Sequence, residues 1–317
     1  MVSRAMAEAG CIFCNRKSPQ IVIEEDGYQC RKCPSCDLIY ISNRPSPEEI
    51  EKLYNEDWAI RSADASISGF SGRRLHARHH LRIVKRFIKK GSLLEIGPGE
   101  GSFLYEARKE GFEVHGIELN HTQANFIRNR LNISCEESPL GDSSFDGKKF
   151  DTIYHRDVIS HFYDPIAEFQ KMNERLRDKG FLIFETGNLG DVKENYFKLF
   201  TSFQLPDHLF FFSEKNLKEL LRRTGFEFVK VYGYSKLPLL WIMRNLKTGT
   251  DRFSVRGERA RSRVPNMSSL KTSNFGFNYF LRNTFNFISY LMVYEIGYVI
   301  PKKGRPQSLF VVAQKRN

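Results

Sequence analysis

No stretch of this 317-residue chain reaches the roughly 18 consecutive apolar residues that a membrane span needs. The opening residues, MVSRAMAEAGC, lack the long apolar core of an export signal. With neither feature, the expected compartment is the reducing cytoplasm. Cysteine is nearly missing beyond residue 36: five of the six lie between Cys11 and Cys36, and the sixth is Cys135. In a reducing compartment such crowding points to metal rather than disulfides. The length excludes three full domains and suits one large domain with an accessory module. Hydrophobic residues at 41% and charged residues at 27% exclude a disordered chain. Acid is in deficit, 37 residues against 49 basic, for a net +12. That favours an anionic partner without choosing among nucleic acid, a membrane surface and a phosphorylated substrate.

Cys11 and Cys14 form one CxxC pair, and Cys33 and Cys36 form another after 18 intervening residues. Two such turns supply four thiolates for a tetrahedral structural zinc site with no open position. Cys30 offers a competing register with Cys33. There Pro34 would follow the second thiolate, where an N–H and positive φ are wanted and proline has neither. In the Cys33/Cys36 register Asp37 takes that position and can supply both. The expected ligands are therefore Cys11, Cys14, Cys33 and Cys36.

The rest of the chain divides by pattern into a linker and basic helix over 46–90, a core over 91–235, an insertion over 236–305 and a last strand over 306–317, with the zinc module at 1–45. Pro45 and Pro47 lead into a short helix expected at 48–54. Residues 59–72, rich in Ser, Ala and Gly, read as a linker. From 73 to 90 there are eight Lys/Arg and no acid, and Leu81, Val84 and Ile88 recur at helical spacing. Strands are expected at 92–96, 113–118, 132–135, 150–155, 181–186, 226–232 and 308–313. Helical patterns lie between most of them. Gly111, Gly180 and Gly225 stand where helix C-terminal glycines belong. The result is a doubly wound, Rossmann-like α/β sheet.

At 93–101, LLEIGPGEG runs a buried strand into a glycine-rich turn and then a helix. Glycines there let the backbone approach a ligand, and helix-initial N–H groups face its electron-rich atoms. The spacing is GxGxG rather than the GxGxxG of a dinucleotide site. Glu95, two residues before the first glycine, can accept a hydrogen bond from an amino group. Glu118, ending the second strand, can bind both ribose hydroxyls of an adenosine.

These features, with the segment from Phe150 to Pro165, resemble class I methyltransferases that use S-adenosylmethionine. The greatest similarity is to small-molecule and sugar methyltransferases in which a CxxC…CPxC module precedes the catalytic domain. The resemblance covers roughly 11–235 and the last strand, and it implies a seven-stranded sheet whose last strand is antiparallel. It also implies cofactor contacts from Glu95, Gly97, Pro98, Gly99, Gly101, Glu118, Leu119 and, after the fourth strand, Arg156. His161 stands where related enzymes carry Glu-His, here Ser160-His161. His208 opens a His-Leu-aromatic-aromatic-Ser segment that recurs in the group. A histidine of ordinary pKa can take a proton from a hydroxyl at neutral pH, so both are candidate bases, with Asp207 a candidate orienting group for His208.

The Asn/Asp-Pro-Pro-aromatic motif of base-amine methylation is missing after the fourth strand, which favours a hydroxyl acceptor on a small molecule or glycan. An RNA methyltransferase, or a zinc-ribbon nucleic-acid binder with a retired methyltransferase fold, is the competing reading. Residues 244–271 carry eight basic against two acidic residues and read as a mobile loop. The aromatic stretch 275–300 reads as a helix, buried as a lid or lying peripherally on a membrane.

Overall fold

The computed structural model describes residues 7–47, 49, 57–142, 145, 147–253 and 273–316. Near the N-terminus, β1 (Ala7–Glu8) pairs with β5 (Asn43–Arg44). Strands β2 (Ile21–Glu25), β3 (Tyr28–Lys32) and β4 (Ile39–Ile41) form an antiparallel sheet. Its fourth strand comes from far along the chain: β11 (Phe210–Phe211) pairs with β4. The cysteine module is thus tied directly to the segment that carries His208.

The main sheet has seven strands in the order β12-β13-β10-β9-β6-β7-β8. They are β6 (Ser92–Ile96), β7 (Glu113–Ile117), β8 (Ser134–Glu136), β9 (Phe150–Arg156), β10 (Leu176–Gly187), β12 (Phe226–Ser235) and β13 (Gln307–Lys315). The last strand, β13, lies antiparallel between β10 and β12. Alternate residues feed two cores: Leu94, Ile153 and Phe184 face one side, Leu93, Tyr154 and Ile183 the other. Helices α5 (Pro165–Arg175) and α6 (Glu214–Arg223) cover the first face. Helices α2 (Phe70–Val84), α3 (Ser102–Lys109) and α4 (His121–Leu131) cover the second. The seven expected strands all form, in the doubly wound arrangement read from the pattern.

Several local expectations change. Residues 59–72 are helical, within α1 (Asp57–Ser68) and the start of α2. Their small side chains allow close packing rather than looseness: Ala63, Ser66 and Gly72 are buried. The basic helix starts earlier than expected and ends at Val84, with turns beyond it. Gly180 lies inside β10, and Lys179 takes the positive φ there. The loop expected from 244 is helical as far as Phe253, in α7 (Leu237–Phe253). All of it beyond that point, and most of the helix expected at 48–54, lie outside the described residues. The aromatic stretch is helix α8 (Ser273–Tyr290), continued by a π-helical turn, Leu291–Ile296, and the short turn Gly297–Val299.

Candidate functional site

The glycine turn after β6 is shaped by packing as well as by ligand access. Gly97, Gly99 and Gly101 all have positive φ, at 65°, 58° and 74°. A Cβ on Gly97 would meet Val158 Cγ2 at 2.8 Å, and one on Gly101 would meet Ile127 Cγ1 at 2.8 Å. Gly101 therefore lets α3 and α4 approach each other. A Cβ on Gly99 would meet only Gln123 Nε2, at 3.6 Å, so this glycine borders open space. Pro98 is buried inside the turn.

Three glutamates converge here. Glu118 is buried and accepts hydrogen bonds from the Gly99 and Asn120 N–H groups, both at 2.9 Å. Burial pushes its pKa up to about 7. Glu95 is buried, its Oε2 has no hydrogen-bond partner among the described residues, and burial together with the nearby Glu100 raises its pKa well above the usual range. Glu100 accepts from Ser66 Oγ and Ser102 Oγ at 2.7 Å and from Arg73 at 3.1 Å, so α1 and α2 clamp the turn. An orphaned buried carboxylate oxygen is a vacancy for a cationic donor. Leu119, 51% exposed beside Glu118, offers an apolar surface. These carboxylates fit S-adenosylmethionine: Glu95 would accept from its amine and Glu118 from its ribose hydroxyls.

Arg156 ends β9 with its Nε 3.6 Å from both Asp157 and Glu185. Burial works against its charge, but the attraction of Glu185 and other neighbours outweighs this and raises its pKa. Behind it runs a buried chain of hydrogen bonds that sequence reading missed. His80 Nδ1 lies 2.7 Å from the Tyr154 hydroxyl, and His80 Nε2 lies 2.7 Å from the Tyr294 hydroxyl. Tyr294 donates to Glu185 Oε1 at 2.7 Å. Burial opposes ionisation of Glu185, but Arg156 and other donors hold it as a carboxylate. The Tyr294 proton is therefore committed to Glu185, so His80 Nε2–H donates to Tyr294 and His80 Nδ1 accepts from Tyr154. Tyr154 pairs in register with Glu95. The chain thus links the π-helical turn to the strand that carries Glu95; a π-helical turn is often found at functional sites. An acid closing the buried run FLIFE and adjacent histidines in an acid-free helix were the available signals.

Beyond Asp157 opens a cavity of about 400 Å³, walled by Phe200, Phe203 and Phe211 and carrying His161, His208 and Lys236. His161 closes a short 3₁₀ turn, Ile159–His161, rather than opening the next helix, which begins after its cap Asp164. Asp207 pairs with His161: His161 Nδ1 lies 3.0 Å from Asp207 Oδ1 and 3.1 Å from its carbonyl. Burial would lower the His161 pKa, but the Asp207 hydrogen bond outweighs it and the net shift is upward. His208 Nδ1 lies 3.0 Å from the Phe203 carbonyl, and burial with the neighbouring His161 pushes its pKa down to about 4. The ring centroids are 4.8 Å apart. Carbonyl and carboxylate oxygens only accept, so both rings carry their proton on Nδ1 when neutral and both Nε2 atoms keep a lone pair. Ligand-type atoms of His161, Asp207 and His208 lie within 4.8 Å of one another, close enough to share a cation.

In the N-terminal module the sulfurs of Cys11 and Cys36 are 3.4 Å apart and those of Cys14 and Cys33 are 3.5 Å apart. The Phe13 and Ser35 N–H groups point at Cys11 and Cys33 Sγ, both at 3.4 Å. Asp37 has φ 62° and Asn15 φ 55°, the left-handed residue that each knuckle requires. Cys30 is fully buried, with its thiol pushed up to about 12 mainly by burial.

The seven-stranded sheet, its antiparallel last strand and the carboxylate-flanked glycine turn define a class I, Rossmann-like S-adenosylmethionine-dependent methyltransferase domain. A methyltransferase-domain family model matches residues 71–231, just over half of the chain, and the chain belongs to that family. Phosphoethanolamine N-methyltransferase 2 of Caenorhabditis elegans is 29% identical over 157 residues, covering 46% of this chain and 36% of that protein. A tRNA U34 carboxymethyltransferase of Alteromonas mediterranea is 28% identical over 162 residues, covering 45% of this chain and 47% of that protein. The chain thus spans less than half the length of either relative. The solved structure of Haemonchus contortus phosphoethanolamine N-methyltransferase 2 superposes with a TM-score of 0.51 at 15% identity, covering 88% of this chain and 63% of that one, a likeness of fold.

Proposed function

We propose that the protein methylates a hydroxyl on a small-molecule or glycan-type acceptor, with His161 as the base. The observation that carries this is the His161–Asp207 pair opening into an aromatic-walled cavity beside Asp157. Aromatic faces with a few polar groups suit a polyhydroxylated ring. S-adenosylmethionine, when bound, supplies a methyl group activated by its sulfonium. The chain's own residues align the acceptor and remove its proton. His161 Nε2 accepts the hydroxyl proton, and Asp207 stabilises the resulting imidazolium. His208 stays neutral near pH 7 and orients the acceptor through its Nε2 lone pair. Glu95 holds the cofactor's ammonium, Glu118 its ribose, and Arg156 its carboxylate.

The tRNA-modifying relative makes an RNA acceptor the competing reading. Transfer of labelled methyl to glycan acceptors but not to tRNA is the expected result; transfer to tRNA alone overturns the proposal.

The cysteine module is assigned a structural zinc ion. Four thiolates at about 2.3 Å from zinc would have sulfurs about 3.8 Å apart; the Cys11–Cys36 and Cys14–Cys33 separations of 3.4 and 3.5 Å are near this, and the sulfurs of Cys11, Cys33 and Cys36 lie within 4.8 Å of one another, a group that does not include Cys14. Cys36→Ser is expected to cost the purified protein its zinc, whereas Cys30→Ser keeps it; elemental analysis of both variants reads the difference.

A further inference from the structure

Exposed apolar side chains and basic residues are concentrated in the same stretch of the sequence. Residues 236–305 hold thirteen Lys/Arg against three Asp/Glu, a net +10 of the chain's +12. The same stretch supplies eleven of the fourteen large apolar side chains exposed among the described residues. One side of α8 is anchored: Asn286 donates to the Gly69 carbonyl at 3.1 Å, Asn283 accepts from the Gly72 N–H, and Tyr290 accepts from Arg82. On the outward side Leu281, Phe285 and Ile288 recur at helical spacing, with Phe280 65% exposed alongside them. Past the helix Tyr298 is 63% exposed, and Lys302 Nζ lies 5.0 Å from its ring. Among the described residues no helix is long and apolar enough to cross a membrane.

We propose that this insertion docks the protein onto an anionic lipid surface, with the aromatic side chains at the headgroup boundary and the basic residues on lipid phosphates. An aromatic face on a helix held along the protein surface, with Lys302 and Lys303 following it in the chain, is built to lie in an interface. Charge decides the occupant. A second copy would bring two chain stretches of like net charge together, which repulsion opposes, whereas acidic lipid neutralises both charge and apolar exposure at once. The inference depends neither on methyl transfer nor on the acceptor.

The test is sedimentation of the full chain with vesicles of phosphatidylcholine alone or enriched in phosphatidylglycerol, at low and high salt. The expected result is pelleting with the anionic vesicles only, fading as salt screens the charges. Lys302→Ala with Lys303→Ala is expected to weaken partition about fivefold per residue. Phe280→Asp with Tyr298→Asp is expected to weaken it more than tenfold, with circular dichroism unchanged. Equal pelleting with both vesicle types, pelleting with neither, or folded variants that pellet like the parent would overturn the proposal. So would a dimer that these variants break in a protein that ignores vesicles.

Discussion

Glu118→Ala is expected to weaken S-adenosylmethionine binding by about tenfold to a hundredfold, as measured by calorimetry. The side chain is fixed by two N–H donors at 2.9 Å, so its carboxylate is held in place without a ligand. A hydrogen bond to a charged group contributes about 1.5–3 kcal/mol. The same carboxylate gives the unliganded protein a pH dependence with a definite sign. Burial raises its pKa from 4.5 to about 7 in the fold. A group whose pKa is raised on folding stabilises the fold fully below its unfolded value, and that contribution is lost as pH rises through the folded one. Between pH 4.5 and 7 the loss from this group is on the order of 3 kcal/mol. Glu95, raised for the same reason, acts in the same direction. Ligand hydroxyls and an ammonium favour the ionised carboxylates, so cofactor uptake releases protons and tightens as pH rises from 6 to 8. The thermal midpoint of the unliganded protein should fall over that range while the shift produced by cofactor grows. A Glu118→Ala protein that binds cofactor as tightly as the parent contradicts the assignment.

Asp207→Asn is expected to lower kcat by about a hundredfold or more while leaving cofactor affinity unchanged. The substitution removes the anion that stabilises protonated His161, and an amide can also donate to Nδ1 and so change which nitrogen carries the proton. Because Asp207 raises the His161 pKa above 6.5, the parent enzyme needs pH above that raised value for His161 to be free to accept a proton. The acid limb of its pH–rate profile therefore lies above 6.5, and in Asp207→Asn it moves to lower pH. A purely structural role for Asp207 would change stability without moving that limb. His208→Gln, by contrast, should raise KM more than it lowers kcat, since His208 is assigned to orienting the acceptor.

What could be read in advance depended on whether the physical cause was local. The strands around LLEIGPGEG and the acid at Glu118 were legible because a buried parallel strand, a glycine turn and a strand-end acid are each contiguous signals. The cysteine knuckles were legible for the same reason, down to the positive φ of Asp37. Residues 59–72 misled because Ser, Ala and Gly serve loops and close helix contacts alike; Ser66 is buried because its hydroxyl reaches Glu100, 34 positions away. The chain from Tyr154 through His80 and Tyr294 to Glu185 was invisible because its links span 74 to 214 residues. Asp207 sits beside His208 in sequence, yet the turn aims it at His161, 46 residues back. All three members of that cluster were named from the sequence; the pairing of Asp207 with His161 was not.

The assignment of Glu95, Gly99 and Glu118 to the cofactor is tested most directly by titrating the folded protein with S-adenosylmethionine at about pH 6, where the Glu118 carboxyl is still largely protonated, in two buffers of different ionisation enthalpy. Saturable one-to-one binding whose apparent heat differs between the buffers, reporting proton release, is the expected result. No detectable binding of either the methyl donor or S-adenosylhomocysteine by folded protein would contradict it.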